Sequence, residues 1–572
     1  MIKIVTVAEM RAIEQEGDAS GVSYDQMMQN AGRALADRVL DVLAAQPPAR
    51  IVVLVGPGNN GGDALVAGRL IAAESAHEVS FYLARPRQDD DPNYAAVREA
   101  GLFIAEAARD QRFRVLKNLL SNAQVVIDGV LGIGLKLPIA GDLAEFMDVA
   151  RKAILTQQQA SSSLRSYVTP DLPVACPPRQ PYVIAVDCPS GLDCDTGALD
   201  PLAIPADETV TFAAAKLGQV IFPGAAACGE LHVAGIGLPR KLPSRDRVRL
   251  EMPTAADIRA WLPAMPPDAH KGTFGKVMVV AGSLNYTGAV ALAAEAAYRV
   301  GAGLVTVGTP EIVMPLLAPQ VPEATWLLLP HDLGVIAEDA APLVREQAQG
   351  YNALLLGPGW GREGATRDFL LALLNREQQE ARHSRIGFVP GRATPEASEQ
   401  RDENPLPPLV IDADGLNLLS TLDAWWKLLP KGTVLTPHPG EMARLTGLPR
   451  EEVTRQRIAL AQEKAAAWRC VVVLKGAYTV VAAPDGRTAV LPFAEPALAT
   501  AGTGDVLAGA LAGLIGQGVG AFEAAVAAAY LHGLAGRLAA RCVGNRRSVA
   551  ARDVLRAMAA AMNQVEGSTG LS

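Results

Sequence analysis

Short, continuously apolar runs separated by stretches of helical period recur in two series along the chain, and that pattern admits few folds. The first series is 51–55, 79–83, 125–127 and 182–186; the second is 276–280, 354–356, 409–411, 433–435 and 471–474. Runs that are apolar throughout, not at alternate positions, mark strands covered on both faces. Their alternation with helices predicts βαβ units around mostly parallel sheets. At 572 residues the chain exceeds what one hydrophobic core holds. Between the series, residues 238–253 (LPRKLPSRDRVRLEMP) carry proline and alternating charge without a core period. The boundary is placed there, giving expected domains 1–240 and 250–568. Their glycine-rich turns differ, so the two are unlike domains and not a duplication.

Composition narrows the function classes. Hydrophobic residues make up 49% and charged residues 20%, with net charge −8, which excludes general disorder and leaves no basic footprint for nucleic acid. The first residues, MIKIVTVAEMRAIEQEG, contain acids and no apolar segment of a secretion signal. The run 506–516 is too short to span a membrane and reads as a buried helix. Cysteines 176, 188, 194, 228, 470 and 542 form no metal-ligand spacing. Free thiols in a reducing compartment follow, and a cytoplasmic location without nucleic-acid or membrane partners. Near the start, Thr6 with Glu9 and Ser23 with Gln26 have capping-box spacing. Met27, Ala31, Leu35 and Val39 then recur at helical period. Two polar stretches, 156–181 and 376–408, read as inserted mobile loops.

In the first half, GPGNNGGD follows a strand and precedes a helix, so Gly56, Gly58 and Gly61 meet the dinucleotide fingerprint literally. The carboxylate of Asp63 lies where a pyrophosphate would rest, which disfavours a plain dinucleotide site. The next strand also ends in Arg85 and Arg87 with no acid, which counts against such a site, although a 2′-phosphate site would tolerate arginine. Asp128 in VVIDGVLGIGLKLP and Asp187 in VIAVDCPSG also follow apolar strands, with Ser190 close behind. Singly each Asp could be a turn or cap residue. Together they should converge, because ligands of parallel sheets sit at strand carboxyl ends.

These residues resemble the YjeF N-terminal family of NAD(P)H-hydrate epimerases, over about residues 5–240. The resemblance implies a Rossmann-like three-layer domain. It also implies that the hydrate is contacted by Asn59, Asn60, Gly61, Gly62, Asp63, Gly132, Ile133, Gly134, Leu135, Lys136, Leu137, Pro138 and Asp187. Asn60, Asp128 and Ser190 would hold a potassium ion, a choice consistent with their oxygen-only donors. Asp187 would exchange protons at the C6 hydroxyl. Ala64 departs from the family's usual glycine and would be strained if the backbone there needed a positive φ. The half also resembles the vertebrate apolipoprotein A-I binding protein, so a binding-module role is an alternative.

In the second half no Walker A sequence occurs. Instead ATAGTGDVLAGAL (499–511) sets Gly502, Thr503 and Gly504 directly before Asp505 at a helix start. Backbone N–H groups there form an anion hole, and the adjacent carboxylate suits proton removal from an attacking hydroxyl. GPGWG (357–361), IDADGLN (411–417), TPHPGEM (436–442) and KGAYT (475–479) are also at strand ends. His438 reads either as a site residue or as a loop residue before a helix. Lys475 reads either as a solvated strand-end lysine or as a phosphate partner. With 270–307, these motifs resemble the ADP/ATP-dependent NAD(P)H-hydrate dehydratases, a ribokinase-like fold, over about 254–565. The resemblance implies that Ala289, Gly359, His438 and Asp505 line the hydrate site and that Lys475, Gly476, Ala477, Tyr478, Thr479 and Gly504 bind the nucleotide. Asp505 would act as base, with ADP or ATP as co-substrate and Mg²⁺ beside it. Such enzymes are commonly homo-oligomers. The implied activity is epimerisation of hydrated NADH and NADPH (NADHX and NADPHX), followed by nucleotide-dependent dehydration. A vitamin or sugar kinase with a regulatory amino-terminal domain is the alternative on the same scaffold.

Overall fold

The two series of apolar runs become two separate sheets. The computed structural model describes residues 1–161, 180–374 and 406–567. The chain folds as two units, one of Ile2–Arg249 and one of Leu250–Ser572 with Met1. Most of the segments 156–181 and 376–408 lies outside the described residues, as does Cys176. The part of the first that is described, 156–161, continues the helix Asp142–Ser161 instead of opening a loop.

The amino-terminal sheet has seven parallel strands. Across it the order is Phe103–Glu106, Glu78–Leu83, Arg50–Val55, Val125–Gly129, Tyr182–Val186, Glu208–Phe212 and Glu230–Ala234. The chain winds outward from Arg50–Val55, then returns to place Val125–Gly129 on its other side. That reversal opens a crevice at the carboxyl ends of these two strands, the place where ligands of such sheets bind. Helices cover both faces. On one, Met27, Ala31, Leu35 and Val39 of helix Tyr24–Leu43 pack into a core with Ile51, Val53 and Ile127. On the other, Phe146, Met147 and Ala150 pack with Val52, Leu54 and Val126. Thr6 completes a full capping box with Glu9, whereas Ser23 supplies only its own half of one, accepting from Gln26 N–H.

Residues 238–253, read from sequence as a linker without a core period, are instead folded. They contain a helical turn Pro243–Arg247 and a strand Leu250–Met252, and Leu242 and Val248 are buried with Val5, Met10 and Ile13. The amino-terminal unit therefore runs on to Arg249.

In the carboxy-terminal unit seven strands run parallel, in the order Thr325–Leu329, Leu304–Pro310, Lys276–Val280, Ala353–Leu356, Leu409–Ile411, Val434–Leu435 and Val471–Leu474. An antiparallel hairpin, Val480–Ala482 and Thr488–Val490, extends the sheet, and Leu250–Met252 pairs in parallel beyond it. Here the winding reverses between Lys276–Val280 and Ala353–Leu356. The helix Thr503–Gly516 is buried along nearly its whole length, and Gly509 and Gly513 let it lie on the backbone of Ala293 and Ala297. A Cβ on Gly509 would come within 2.0 Å of the Ala293 carbonyl oxygen, so only glycine fits. Among the described residues no helix is long and apolar enough to cross a membrane.

Candidate functional site

Both crevices are lined by the predicted strand-end residues. In the amino-terminal unit Gly58 caps the helix Asn59–Glu74, with Asn59 exposed and Asn60, Gly61, Gly62 and Asp63 buried in its first turns. Gly61 is required there, and Gly62 leaves room for the Met28 side chain. A Cβ on Gly61 would meet the Gly56 carbonyl oxygen at 2.1 Å, and one on Gly62 would meet Met28 Sδ at 2.7 Å. Arg87 donates to the carbonyls of Gly56 (2.7 Å) and Gly58 (3.1 Å) and to Asp91 (2.6 Å), so this arginine holds the turn together and is not a free phosphate ligand. Ala64 is helical and has no positive φ. Its methyl sits where Gly129 leaves space, so the strain feared from sequence does not arise.

Asp128 is fully buried at the end of Val125–Gly129. It accepts from Ser190 N–H (2.8 Å), from Ser190 Oγ–H (2.6 Å) and from Val130 N–H (3.3 Å). Ser190 Oγ in turn accepts from Leu131 N–H, and Asn60 Nδ2 donates to the Leu131 carbonyl at 3.1 Å. Asn60, Asp128 and Ser190 are thus brought together. Burial pushes the Asp128 carboxyl up to about 6, a cost that a bound cation would offset. One buried negative charge among neutral oxygens fits a hard monovalent cation. Gly132 lies against the Asn60 side chain, while Gly134, Lys136 and Pro138 are exposed. Leu135 and Leu137 pack toward the core beneath, and Ile133 toward Met10 and Ile13.

Asp187 sits at φ 59°, a left-handed conformation costing about 1–3 kcal/mol in a non-glycine residue. Its surroundings enforce it. The backbone N–H donates to Val210 (2.8 Å) and the carbonyl accepts from Gln219 Nε2 (2.7 Å). The carboxylate accepts from Thr211 Oγ1 (3.0 Å), Phe212 N–H (3.1 Å) and the buried ammonium of Lys216. Burial disfavours charge on Lys216, but Asp187 and the hydrogen bond between them outweigh it and the net shift is upward. Asp63 is raised well above the usual carboxylate range by burial, then by the charges of Asp187 and Glu14. Lys216 and Glu14 escaped the sequence reading because neither belongs to a glycine-rich turn.

In the carboxy-terminal unit five adjacent parallel strands deliver their carboxyl-end loops side by side. Gly359 (φ 66°) faces Ala289, whose Cβ would lie 3.1 Å from one built on the glycine, so this predicted pair is adjacent. Trp360 is buried and donates to the Val280 carbonyl, pinning the GPGWG loop. Asp414 accepts from Gly361 N–H at 3.0 Å. His438 is the N-cap of helix Pro439–Thr446 in a capping box with Glu441. Its Nδ1 accepts from the N–H groups of Gly440 and Glu441, and its Nε2 lies 3.4 Å from Glu441 Oε1. Burial, then Lys475 and Arg444, push its pKa down and keep it neutral.

Lys475 is not a solvated strand-end lysine. Its Nζ donates to Asp412 at 2.5 Å and lies 3.8 Å from Glu441. Gly476, Ala477, Tyr478 and Thr479 form the turn into the hairpin. Arg457 gathers that turn by donating to the carbonyls of Leu474, Lys475 and Ala477. Asp505, the third residue of Thr503–Gly516, makes no side-chain hydrogen bond among the described residues. Burial, then Asp412, push it up to about 7, with Asp414 and Glu441 adding to the rise and Lys475 opposing it. No group of three acidic, His or Cys side chains placed to hold a metal occurs among the described residues; a Mg²⁺ ion shared with nucleotide phosphates needs only one or two carboxylates from the protein.

Profiles of known families place both halves. Residues 24–218 match the YjeF-related protein N-terminus, and 277–380 with 392–559 match NAD(P)H-hydrate dehydratase. The bifunctional NAD(P)H-hydrate repair enzyme Nnr of Moorella thermoacetica is 35% identical over 96% of this chain and 94% of its own. The chain belongs to the bifunctional NAD(P)H-hydrate repair enzymes. The Escherichia coli relative of the same name is 30% identical over 94% of this chain and 90% of its own. The ADP/ATP-dependent NAD(P)H-hydrate dehydratase of Bacillus subtilis, co-crystallised with ATP and Mg²⁺, is 30% identical over 55% of this chain and 99% of its own, with a TM-score of 0.42. The fold class is the expected one, a Rossmann-like unit followed by a ribokinase-like unit. As a member of this repair family the protein is an enzyme, and the relatives span both halves, which favours repair over a kinase with a regulatory domain.

Proposed function

We propose that the amino-terminal unit epimerises the R and S hydrates of NADH and NADPH and that the carboxy-terminal unit dehydrates the S-hydrate at the expense of ADP or ATP. In the first unit the hydrate lies against residues 59–63 and 132–138. Asp187 passes protons to and from the C6 hydroxyl, so that water leaves one face of the ring and returns on the other. Potassium held by Asn60, Asp128 and Ser190 would supply positive charge to the substrate's oxygens.

In the second unit the hydrate meets Ala289, Gly359, His438 and Asp505, and the nucleotide meets residues 475–479 and Gly504. Asp505 takes the proton of the C6 hydroxyl. The freed oxygen bonds to the terminal phosphorus while the bond from that phosphorus to the nucleotide breaks. The ring nitrogen's lone pair then expels phosphate, and loss of a C5 proton restores the dihydropyridine. Phosphorylation replaces hydroxide, a poor leaving group, with phosphate. Mg²⁺ on the nucleotide would screen the phosphate charges.

The observation that carries this reading is Asp505, a carboxyl raised to about 7 beside the ammonium of Lys475 at the start of a buried helix. Such a group can accept a proton near neutral pH and return it. We also infer a cytoplasmic homo-oligomer. The test supplies both epimers of hydrated NADH, with and without ADP or ATP, and follows the absorbance of regenerated NADH. Full conversion of the mixture only with nucleotide supports both steps. Conversion without nucleotide, or of one epimer alone, refutes one of them.

A further inference from the structure

The buried acid Asp412 belongs to none of the substrate, nucleotide or metal contacts assigned above, yet it bonds to Lys475 and Thr436 and lies beside Gly357 and Gly504. It ends the strand Leu409–Ile411 and is 1% exposed. Its backbone is fixed from both sides. The N–H donates to the Leu356 carbonyl at 3.0 Å, and the carbonyl accepts from Gly415. A Cβ on Gly357 would come within 2.0 Å of that same carbonyl oxygen, so only glycine lets the two loops meet. One carboxylate oxygen, Oδ1, accepts from both Thr436 Oγ1–H at 2.7 Å and Lys475 Nζ at 2.5 Å. A side chain started at Gly504 would begin 3.6 Å from Lys475 Nζ and 3.9 Å from Asp412 Oδ2. The ion pair therefore lies directly beside the helix start that carries Asp505.

We propose that Asp412 is a positioning residue of the dehydratase: it holds the Lys475 ammonium beside Gly504, where the transferring phosphoryl group passes, and withholds that ammonium from Asp505. The inference rests on the reading of Asp505 as the base. Were Lys475 free to pair with Asp505, the base would be a salt-bridged carboxylate with little affinity for a proton. Paired with Asp412, the ammonium still meets the phosphate while Asp505 keeps no hydrogen-bond partner among the described residues. The charges facing Asp505 are Asp412, Lys475, Asp414 and Glu441, and of these Asp412 is the largest that raises it. His532, on the neighbouring helix Ala521–Val543, is pushed down to about 4 by burial and stays neutral.

Two substitutions separate the roles. Asp412→Asn keeps an oxygen for Thr436 and Lys475 but removes the charge. The acid limb of dehydration, where Asp505 loses its proton, should then move to lower pH. Asp412→Ala also frees the lysine. Its kcat should fall by about 10²-fold, the usual effect of misplacing a reacting group by an ångström, with a smaller change in nucleotide KM. Epimerisation by the same chain is the internal control and should not change. An acid limb that stays in place in the Asn variant, or a wild-type kcat in the Ala variant, overturns the proposal. Should Asp412→Ala prevent folding of its half, Thr436→Val replaces it, with a smaller loss of kcat expected and an unaltered kcat again decisive against. If the wild-type protein itself fails to dehydrate the hydrate with nucleotide, it is the reading of Asp505 that fails, not the role of Asp412.

Discussion

In the amino-terminal half a buried lysine, Lys216, bonds directly to the strand-end carboxylate of Asp187, whereas in the other half Lys475 bonds to Asp412 and leaves Asp505 without a hydrogen-bond partner among the described residues. Both arrangements stand at the carboxyl ends of parallel strands in doubly wound sheets. The same two residue types thus produce an acid locked to a cation in one crevice and an acid lifted to about 7 in the other. Burial raises Asp505 most and Asp412 adds to the rise, while the ammonium that would lower it is bonded to Asp412.

The sharpest break of this comparison is to disable each acid in turn. Asp187→Asn and Asp505→Asn should each lower their own reaction by about 10²–10⁴-fold and leave the other untouched, as two assays on one chain would measure. Loss of both reactions from either change would mean that the halves are not independent. A next effect is expected at Lys216→Met, which strands a buried carboxylate without its counter-ion. Epimerisation should be lost and the amino-terminal half destabilised by about 3–5 kcal/mol in a urea titration. A stability near wild type would show that Asp187 does not depend on the pair.

A subtler effect concerns pH. The folded-state pKa of Asp505 lies above its unfolded value, so the protonated acid favours folding at low pH and that contribution is lost as pH rises through about 7. Asp505→Asn removes this loss. Its melting temperature should therefore exceed that of the wild type by a margin that grows between about pH 4 and 7, and a constant margin over that range would contradict the raised acid. The smallest effect is expected at Ala64→Gly. Since Ala64 is helical, glycine should cost about 0.5–1 kcal/mol, and a gain in stability would mean that the alanine is strained after all.

The strands and the glycine-rich turns were legible in the sequence because each is a local pattern: apolar runs of strand length, and Gly, Asn or Asp where they end. The runs 182–186, 276–280, 409–411 and 471–474 coincide with observed strands. What was not legible depends on residues far apart in the chain. Lys216 meets Asp187 across 29 positions and Lys475 meets Asp412 across 63. Neither pairing leaves a periodic trace. Arg87, noted in the sequence only as tolerable near a 2′-phosphate, braces the turn it follows, and Arg457, unremarked in sequence, does the same for residues 475–479. Edge strands such as Phe103–Glu106 and Thr325–Leu329 were missed although each carries an apolar run, and both are largely half-buried or exposed.

The pairing of Leu250–Met252 with Thr488–Val490 sets an order on the making of the protein. A ribosome adding about 5–20 residues per second completes the amino-terminal unit early, and its seven strands can close while the rest is still being made. The strand Leu250–Met252 then waits for roughly 10–50 seconds, the time needed to synthesise the intervening chain at that rate, before its partner emerges. During that interval the second sheet lacks its far edge, and nascent chains crowded on one message can offer one another the missing strand. The carboxy-terminal half is thus the part whose yield in a cell should depend on chaperones and on the speed of translation.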